Sequence, residues 1–168
     1  IILVKEAGKS ILEIYHAGYF QNTIDFKADN SPLTLADKAS HEIIYQGLSN
    51  LNPEIPILSE EGKETAFDKR KNWSRFWLVD PLDGTKEFIK KNGEFTINIA
   101  LIEGHEPVLG VVYVPVMALT YFGQKGQGAF KQAKGEDPVP IRVQGERRRP
   151  VQVAGSRSHA GDSLRQYL

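Results

Sequence analysis

Six residues of this chain have the types and spacing for chemistry on a charged substrate: Asp80-Pro81-Leu82-Asp83-Gly84-Thr85. The apolar run Trp77-Leu78-Val79 ends in two carboxylates with Pro81 between them, and a glycine and a hydroxyl follow at once. Carboxylates and a main-chain carbonyl are the hard oxygen ligands that Mg2+ prefers. The free N–H groups of a nascent helix attract an anion. A strand, a turn and a helix start would together make a place for cations and phosphate. Read alone, the same residues also describe a strand, a proline turn and an aspartate cap, and short motifs are not specific by themselves.

Two other acidic groups occupy comparable places. Ile55 to Leu58 is a short apolar run that ends in Ser59-Glu60-Glu61-Gly62, and Asp37 falls in the first turn of a predicted helix. Each has a simpler alternative, a solvated acidic turn for the first and a charge complementing the helix dipole for the second. If the two short strands are neighbours in one sheet, their ends bring Glu60 and Asp80 together. Such a cluster of like charges is costly unless cations neutralise it. Two or three Mg2+ ions would do so, each taking phosphate oxygens as further ligands. Hydrolysis of a phosphate ester is the reaction that follows.

The elements that must position these residues can be read from periodicity. Leu3, Val4, Ala7, Ile11, Ile14, Tyr15 and Ala17 give the apolar stripe of a helix from Ile2 to about Gly18. After the boundary at Ser31-Pro32, a second helix is predicted with Leu35, Ala39, Ile43, Tyr45 and Leu48 buried and Ile44 close by, ending at Asn50 to Pro53. Lys63 to Trp73 is charged and aperiodic and is predicted to be a surface loop. Phe76 to Val79 is the strand leading to Asp80, and Lys86 to Lys91 is a helical turn stopped by Gly93. A run of strands follows at Phe95–Ile102, Val108–Val114, Leu119–Phe122, Ala129–Lys131 and Ile141–Val143, with Val151 to Ala154 starting another. Consecutive strands with short turns favour an antiparallel meander. Gly123, Gly126 and Gly128 precede a strand rather than a helix, so they are predicted hairpin residues and not a dinucleotide site.

Composition narrows the function classes. The 168 residues are 40% hydrophobic and 25% charged, which suits a globular core. The 21 basic and 21 acidic residues cancel, so no global field draws a nucleic acid polymer or an anionic membrane, and any anion must be bound locally. With no cysteine, a disulfide framework, a thiolate metal site and a cysteine nucleophile are excluded. No apolar run is long enough to span a bilayer, and the first residues are too soon charged for a signal peptide, so a soluble cytoplasmic protein is expected. The start without methionine and the stop at Arg165-Gln166-Tyr167-Leu168, inside what reads as a new helix, suggest a fragment. His16 suits the surface near a helix C-terminus, and Arg147-Arg148-Arg149 suits a solvated turn. Gly155-Ser156-Arg157-Ser158-His159 could bind phosphate or a nucleotide, or be a polar loop.

Taken in order, Asn30-Ser31-Pro32-Leu33-Thr34-Leu35-Ala36-Asp37, Ser59-Glu60-Glu61 and Asp80-Pro81-Leu82-Asp83-Gly84-Thr85 resemble the motifs of the inositol monophosphatase superfamily of Mg2+-dependent, lithium-sensitive phosphatases. Lys86-Glu87-Phe88 and Gly155 to His159 resemble its bacterial 3'(2'),5'-bisphosphate nucleotidase branch. The resemblance implies an α+β fold of the inositol monophosphatase-like sugar phosphatase type, with layered helices and a mostly antiparallel sheet. Residues 1–149 would form the metal- and phosphate-binding domain and 150–168 would begin a second, α/β domain, whose Trp-Asp motif is not in this sequence. It implies that Glu60, Asp80 and the Leu82 carbonyl hold one Mg2+ and that Asp80 and Asp83 share another. Asp37, Glu60 and Thr85 would orient and deprotonate the attacking water. The N–H groups of Gly84 and Thr85 would hold phosphate oxygens, and Ser156, Ser158 and His159 would face the nucleotide. The implied reaction is removal of the 3'-phosphate from adenosine 3',5'-bisphosphate, a small-molecule substrate, to give AMP. The alternatives are an inositol monophosphatase and a non-catalytic nucleotide-sensing or partner-binding protein, and the oligomeric state is left open.

Overall fold

Helix α1 (Ile2–Ala17) forms because Val4, Ala7, Ile11 and Tyr15 recur at helical spacing, and these side chains are buried. A computed structural model describes residues 1–17, 25–26, 32–143, 145, 153, 155 and 166. Burying each large apolar side chain of this stripe contributes about 1.5–3 kcal/mol. Ala17, expected in the stripe, is exposed at the helix end. A two-residue ribbon of β1 (Asp25–Phe26) and β2 (Pro32–Leu33), paired antiparallel, precedes α2 (Leu35–Leu51).

The predicted stripe of α2 is rotated from the observed one. Ala36, Asp37, Ser40, Ile44 and Leu48 face inward, while Leu35 and Tyr45 are 46% and 45% exposed. Asp37 and Ser40 turn in because they have hydrogen-bond partners across the helix–sheet interface. A count of hydrophobic positions gives such polar residues no inward weight.

Strands β3 (Ile57–Ser59), β4 (Arg75–Asp83), β5 (Thr96–Glu103), β6 (Glu106–Val114), β7 (Leu119–Gln124), β8 (Gly128–Gln132) and β9 (Val139–Ile141) form one sheet in that spatial order. The meander from β4 to β9 is antiparallel as expected, and among the described strands only β3 joins it parallel, beside β4. Gly126 and Gly128 take positive φ at the β7–β8 hairpin. Helices α1 and α2 pack on each other and on one face of the sheet, where Trp77, Val79, Ile97, Ile99, Val111 and Tyr113 complete the core. Leu78 and Val112 on the opposite face are exposed.

Two expectations change. The stretch Lys63 to Trp73 holds a short helix, α3 (Phe67–Arg70), too brief to show a period. Strand β4 does not stop at Val79 but runs through Asp80 and Pro81 to Asp83. Its register with β5 shifts between Asp80 and Asp83, where Pro81 has no N–H for the ladder. The irregularity thus falls on the motif itself, a common use of such breaks. The one-turn helix α4 (Thr85–Ile89) follows directly.

The α1–sheet contact is close at Gly8. A Cβ added there would lie 2.4 Å from Tyr113 Cε1, on a buried ring. Gly8→Ala is therefore expected to destabilise the protein by about 1–3 kcal/mol through overpacking, despite alanine's better helix propensity. Urea unfolding checks this, and an unchanged or higher midpoint would contradict it.

Candidate active site

The parallel register of β3 on β4 pairs Ile57 with Trp77, Leu58 with Leu78 and Ser59 with Val79. The next residue of each strand is an acid. Glu60 and Asp80 therefore stand side by side, and the Glu60 N–H donates to the Val79 carbonyl at 3.1 Å. Their carboxyl groups lie close enough to interact. Burial, then the charges of Glu60 and Asp83, push the Asp80 carboxyl up to about 7. An acid pressed against like charges marks where a cation would relieve repulsion, and carboxylate oxygens are the hard ligands of Mg2+. Among the described residues, no three His, Asp or Glu side chains are grouped so as to hold an ion by themselves. A cation here would thus draw on the Leu82 carbonyl, substrate oxygens or water as well.

Asp37, on the first turn of α2, is 1% exposed and meets the motif through Thr85. Its Oδ2 accepts from the Thr34 N–H at 2.8 Å and from Thr34 Oγ1 at 2.5 Å, and Thr34 Oγ1 accepts in turn from the Ala36 N–H, a capping box. Its Oδ1 accepts from Thr85 Oγ1 at 3.1 Å. Burial raises the Asp37 carboxyl above the usual range, and the hydrogen bonds from Thr34 and Thr85 oppose that rise. The dipole-complementing role considered for Asp37 is therefore only part of its work, because one oxygen is turned to the motif.

The motif is braced from several sides. Thr85 Oγ1 also lies 3.3 Å from the Leu82 carbonyl, and the Leu82 N–H donates to Asp80 Oδ1 at 3.2 Å. Ser40 Oγ donates to the Pro81 carbonyl at 2.7 Å. Asn98 Nδ2 donates to Asp83 Oδ2 at 3.1 Å, and Thr96 Oγ1 donates to Asn98 Oδ1 at 3.2 Å, which orients the amide. Gly84 has φ +96°, and a Cβ there would come within 2.8 Å of the Glu94 carbonyl, so only glycine lets β4 turn into α4 at this point. The N–H groups of Gly84 and Thr85 open that turn.

Glu60 and Asp80 line a cleft of about 550 Å3 together with Arg70 of α3, Asn98 and the apolar residues Leu78 and Val112. Of the residues expected from sequence, Asp37, Glu60, Asp80, Leu82, Asp83, Gly84 and Thr85 come together. Ser156, Ser158 and His159 lie outside the described residues. Ser40, Asn98 and Arg70 were not expected, since none belongs to a motif and only the fold brings them in.

Known proteins resemble this chain in sequence and in fold. A profile described as "Inositol monophosphatase family" matches residues 1–167. The chain is 49% identical to "3'(2'),5'-bisphosphate nucleotidase CysQ" of Escherichia coli O157:H7 over 99% of this chain and 65% of that protein. The protein of that name from Salmonella typhimurium gives the same three figures. The chain thus spans somewhat less than two thirds of the length of these curated relatives. The crystal structure of CysQ from Bacteroides thetaiotaomicron, described as a bacterial member of the inositol monophosphatase family, superposes with a TM-score of 0.72 at 41% identity, covering 98% of this chain and 64% of that one.

Proposed function

The chain belongs to the inositol monophosphatase family, and on that premise we propose that it is the metal- and phosphate-binding part of a Mg2+-dependent phosphomonoesterase. The reaction is removal of the 3'-phosphate from adenosine 3',5'-bisphosphate to give AMP and phosphate. The observation that carries the reading is the side-by-side placement of Glu60 and Asp80, with the Asp37–Thr85 hydrogen bond next to it. The names of the curated relatives support the nucleotide over an inositol ester. Residues 1–149 are taken as one domain and 150–168 as the beginning of another.

In this reading Glu60, Asp80 and the Leu82 carbonyl would hold one Mg2+, and Asp80 with Asp83 would hold a second. Ions bound there would supply Lewis acidity, making water a competent nucleophile near neutral pH and offsetting charge on the leaving oxygen. The chain's own groups handle the proton. Thr85 Oγ1 gives its hydrogen to Asp37 Oδ1, which leaves its lone pairs to accept from the attacking water, oriented also by Glu60. As the water oxygen bonds to phosphorus and the bond to the 3'-oxygen breaks, the proton moves by way of Thr85 to Asp37, whose burial favours holding it. The leaving 3'-oxygen takes its proton from solvent. The N–H groups of Gly84 and Thr85 face the phosphate oxygens, and Ser156, Ser158 and His159 recognise the nucleotide.

The test is phosphate release by the full-length protein from adenosine 3',5'-bisphosphate and from inositol 1-phosphate, with and without Mg2+ and Li+. Release that needs Mg2+, falls with Li+ and favours the bisphosphate is expected. A preference for the inositol ester would overturn the substrate, and release indifferent to Mg2+ would overturn the site.

A further inference from the structure

The geometry points to His41 as a positioning residue that, through Ser59, aims the carboxylate of Glu60 at Asp80. His41 lies one helical turn beyond Asp37 on α2, so the two residues share a face of the helix. While Asp37 reaches Thr85, His41 Nδ1 lies 2.8 Å from Ser59 Oγ. Ser59 is the last residue of β3 and immediately precedes Glu60. Its carbonyl accepts from the Gly62 N–H at 3.0 Å, closing a tight turn, while Glu60 is tied by its own N–H to Val79. The peptide that leads into the Cα of Glu60 is therefore held at both its carbonyl and its N–H. The Ser59 side chain adds a hold from outside the sheet. The Tyr45 ring, one turn further along α2, packs with its centroid 5.6 Å from that of the imidazole.

Asp37, Ser40 and His41 thus make α2 a brace that touches Thr85, Pro81 and Ser59 at once. All three touch a segment carrying a proposed ligand or the proposed proton path, so this inference rests on the metal site proposed above. Either tautomer of His41 can make the bond, since the serine hydroxyl both donates and accepts. A group that orients a metal ligand from behind is typically as consequential for affinity as a moderate change in the ligand itself.

The experiment is a calorimetric titration of the full-length protein with MgCl2 alone, with melting temperature measured alongside. His41→Ala is expected to weaken Mg2+ binding by about 10- to 100-fold. Ser59→Ala should do the same, and the double variant should be no worse than either single one, because both remove one contact. His41→Asn, whose amide reaches the position of Nδ1, should restore most of the affinity, and His41→Gln, which reaches toward Nε2, should not. Unchanged affinity in His41→Ala, additive losses in the double variant, or Asn and Gln behaving alike would each overturn the assignment. Should His41→Ala fail to fold, Ser59→Ala, which deletes one oxygen, carries the same expectation and the same refutation. A wild-type protein that binds Mg2+ but does not hydrolyse the nucleotide refutes the substrate and leaves this test intact. A wild-type protein that does not bind Mg2+ refutes both.

Discussion

Replacing Asp80 with asparagine is expected to lower turnover by about a thousand-fold, the scale of a lost charge-stabilising group, and yet to raise the melting temperature of the metal-free protein at pH 8. The two effects share one cause. Asp80 is pressed against Glu60 and near Asp83, and its carboxyl is raised to about 7 by burial and by those charges. Below the ordinary carboxylate range Asp80 is protonated in both the folded and the unfolded chain, so the variant has no advantage. As pH rises, the unfolded chain releases the proton near its ordinary value, while the folded chain retains it until about 7. Stability is therefore lost progressively through that window, and above it the ionised group stands at full cost. Asparagine stays neutral and can still accept from the Leu82 N–H. Mg2+ should reverse the order by binding and stabilising the wild type while leaving the variant almost unmoved. Calorimetric melts at pH 4, 6 and 8, with and without MgCl2, read this directly. A variant less stable than wild type at pH 8 without metal would show that Asp80 is a structural acid and not one kept under repulsion.

That repulsion was visible before the fold because it follows from short strands ending in acids. If β3 and β4 are neighbours, Glu60 and Asp80 meet. What could not be read is which helix face meets them. On α2 the inward positions include Asp37 and Ser40, and the outward ones include Leu35 and Tyr45, so counting apolar residues chose the wrong phase. The failure lies at the site because buried polar groups are tolerated where they find partners, and those partners, Thr85 and the Pro81 carbonyl, are 48 and 41 residues away in sequence. Asn98 and His41 escaped notice for the same reason. Asn98 is one polar residue on a strand and His41 one on a helix, and each gains meaning only from Asp83 or Ser59 across the fold. The bounds of β4 were misjudged in the opposite direction. Proline reads as an end of strand, but a strand next to a register shift accommodates it.

Thr85→Val is expected to lower kcat by about 10²- to 10⁴-fold, the range of a lost proton-handling group, while leaving Mg2+ affinity close to that of the wild type. Valine preserves the shape of threonine and removes only the hydroxyl that donates to Asp37 Oδ1 and approaches the Leu82 carbonyl. Asp37 keeps its bonds to Thr34, so the capping box of α2 survives, and the stability loss should be that of one hydrogen bond, about 1 kcal/mol. Thr85→Ser retains the hydroxyl and should retain most of the activity. The pattern separates Thr85 from Asp80, whose loss should strike metal affinity and turnover together. Asp37→Ala would not separate them, because it removes the helix cap along with the proton acceptor. Steady-state kinetics of the full-length variants, combined with MgCl2 titration, distinguish the cases. If Thr85→Val lost Mg2+ affinity in proportion to kcat, Thr85 would act by holding the Leu82 carbonyl in place, and the proton path through Asp37 would be wrong.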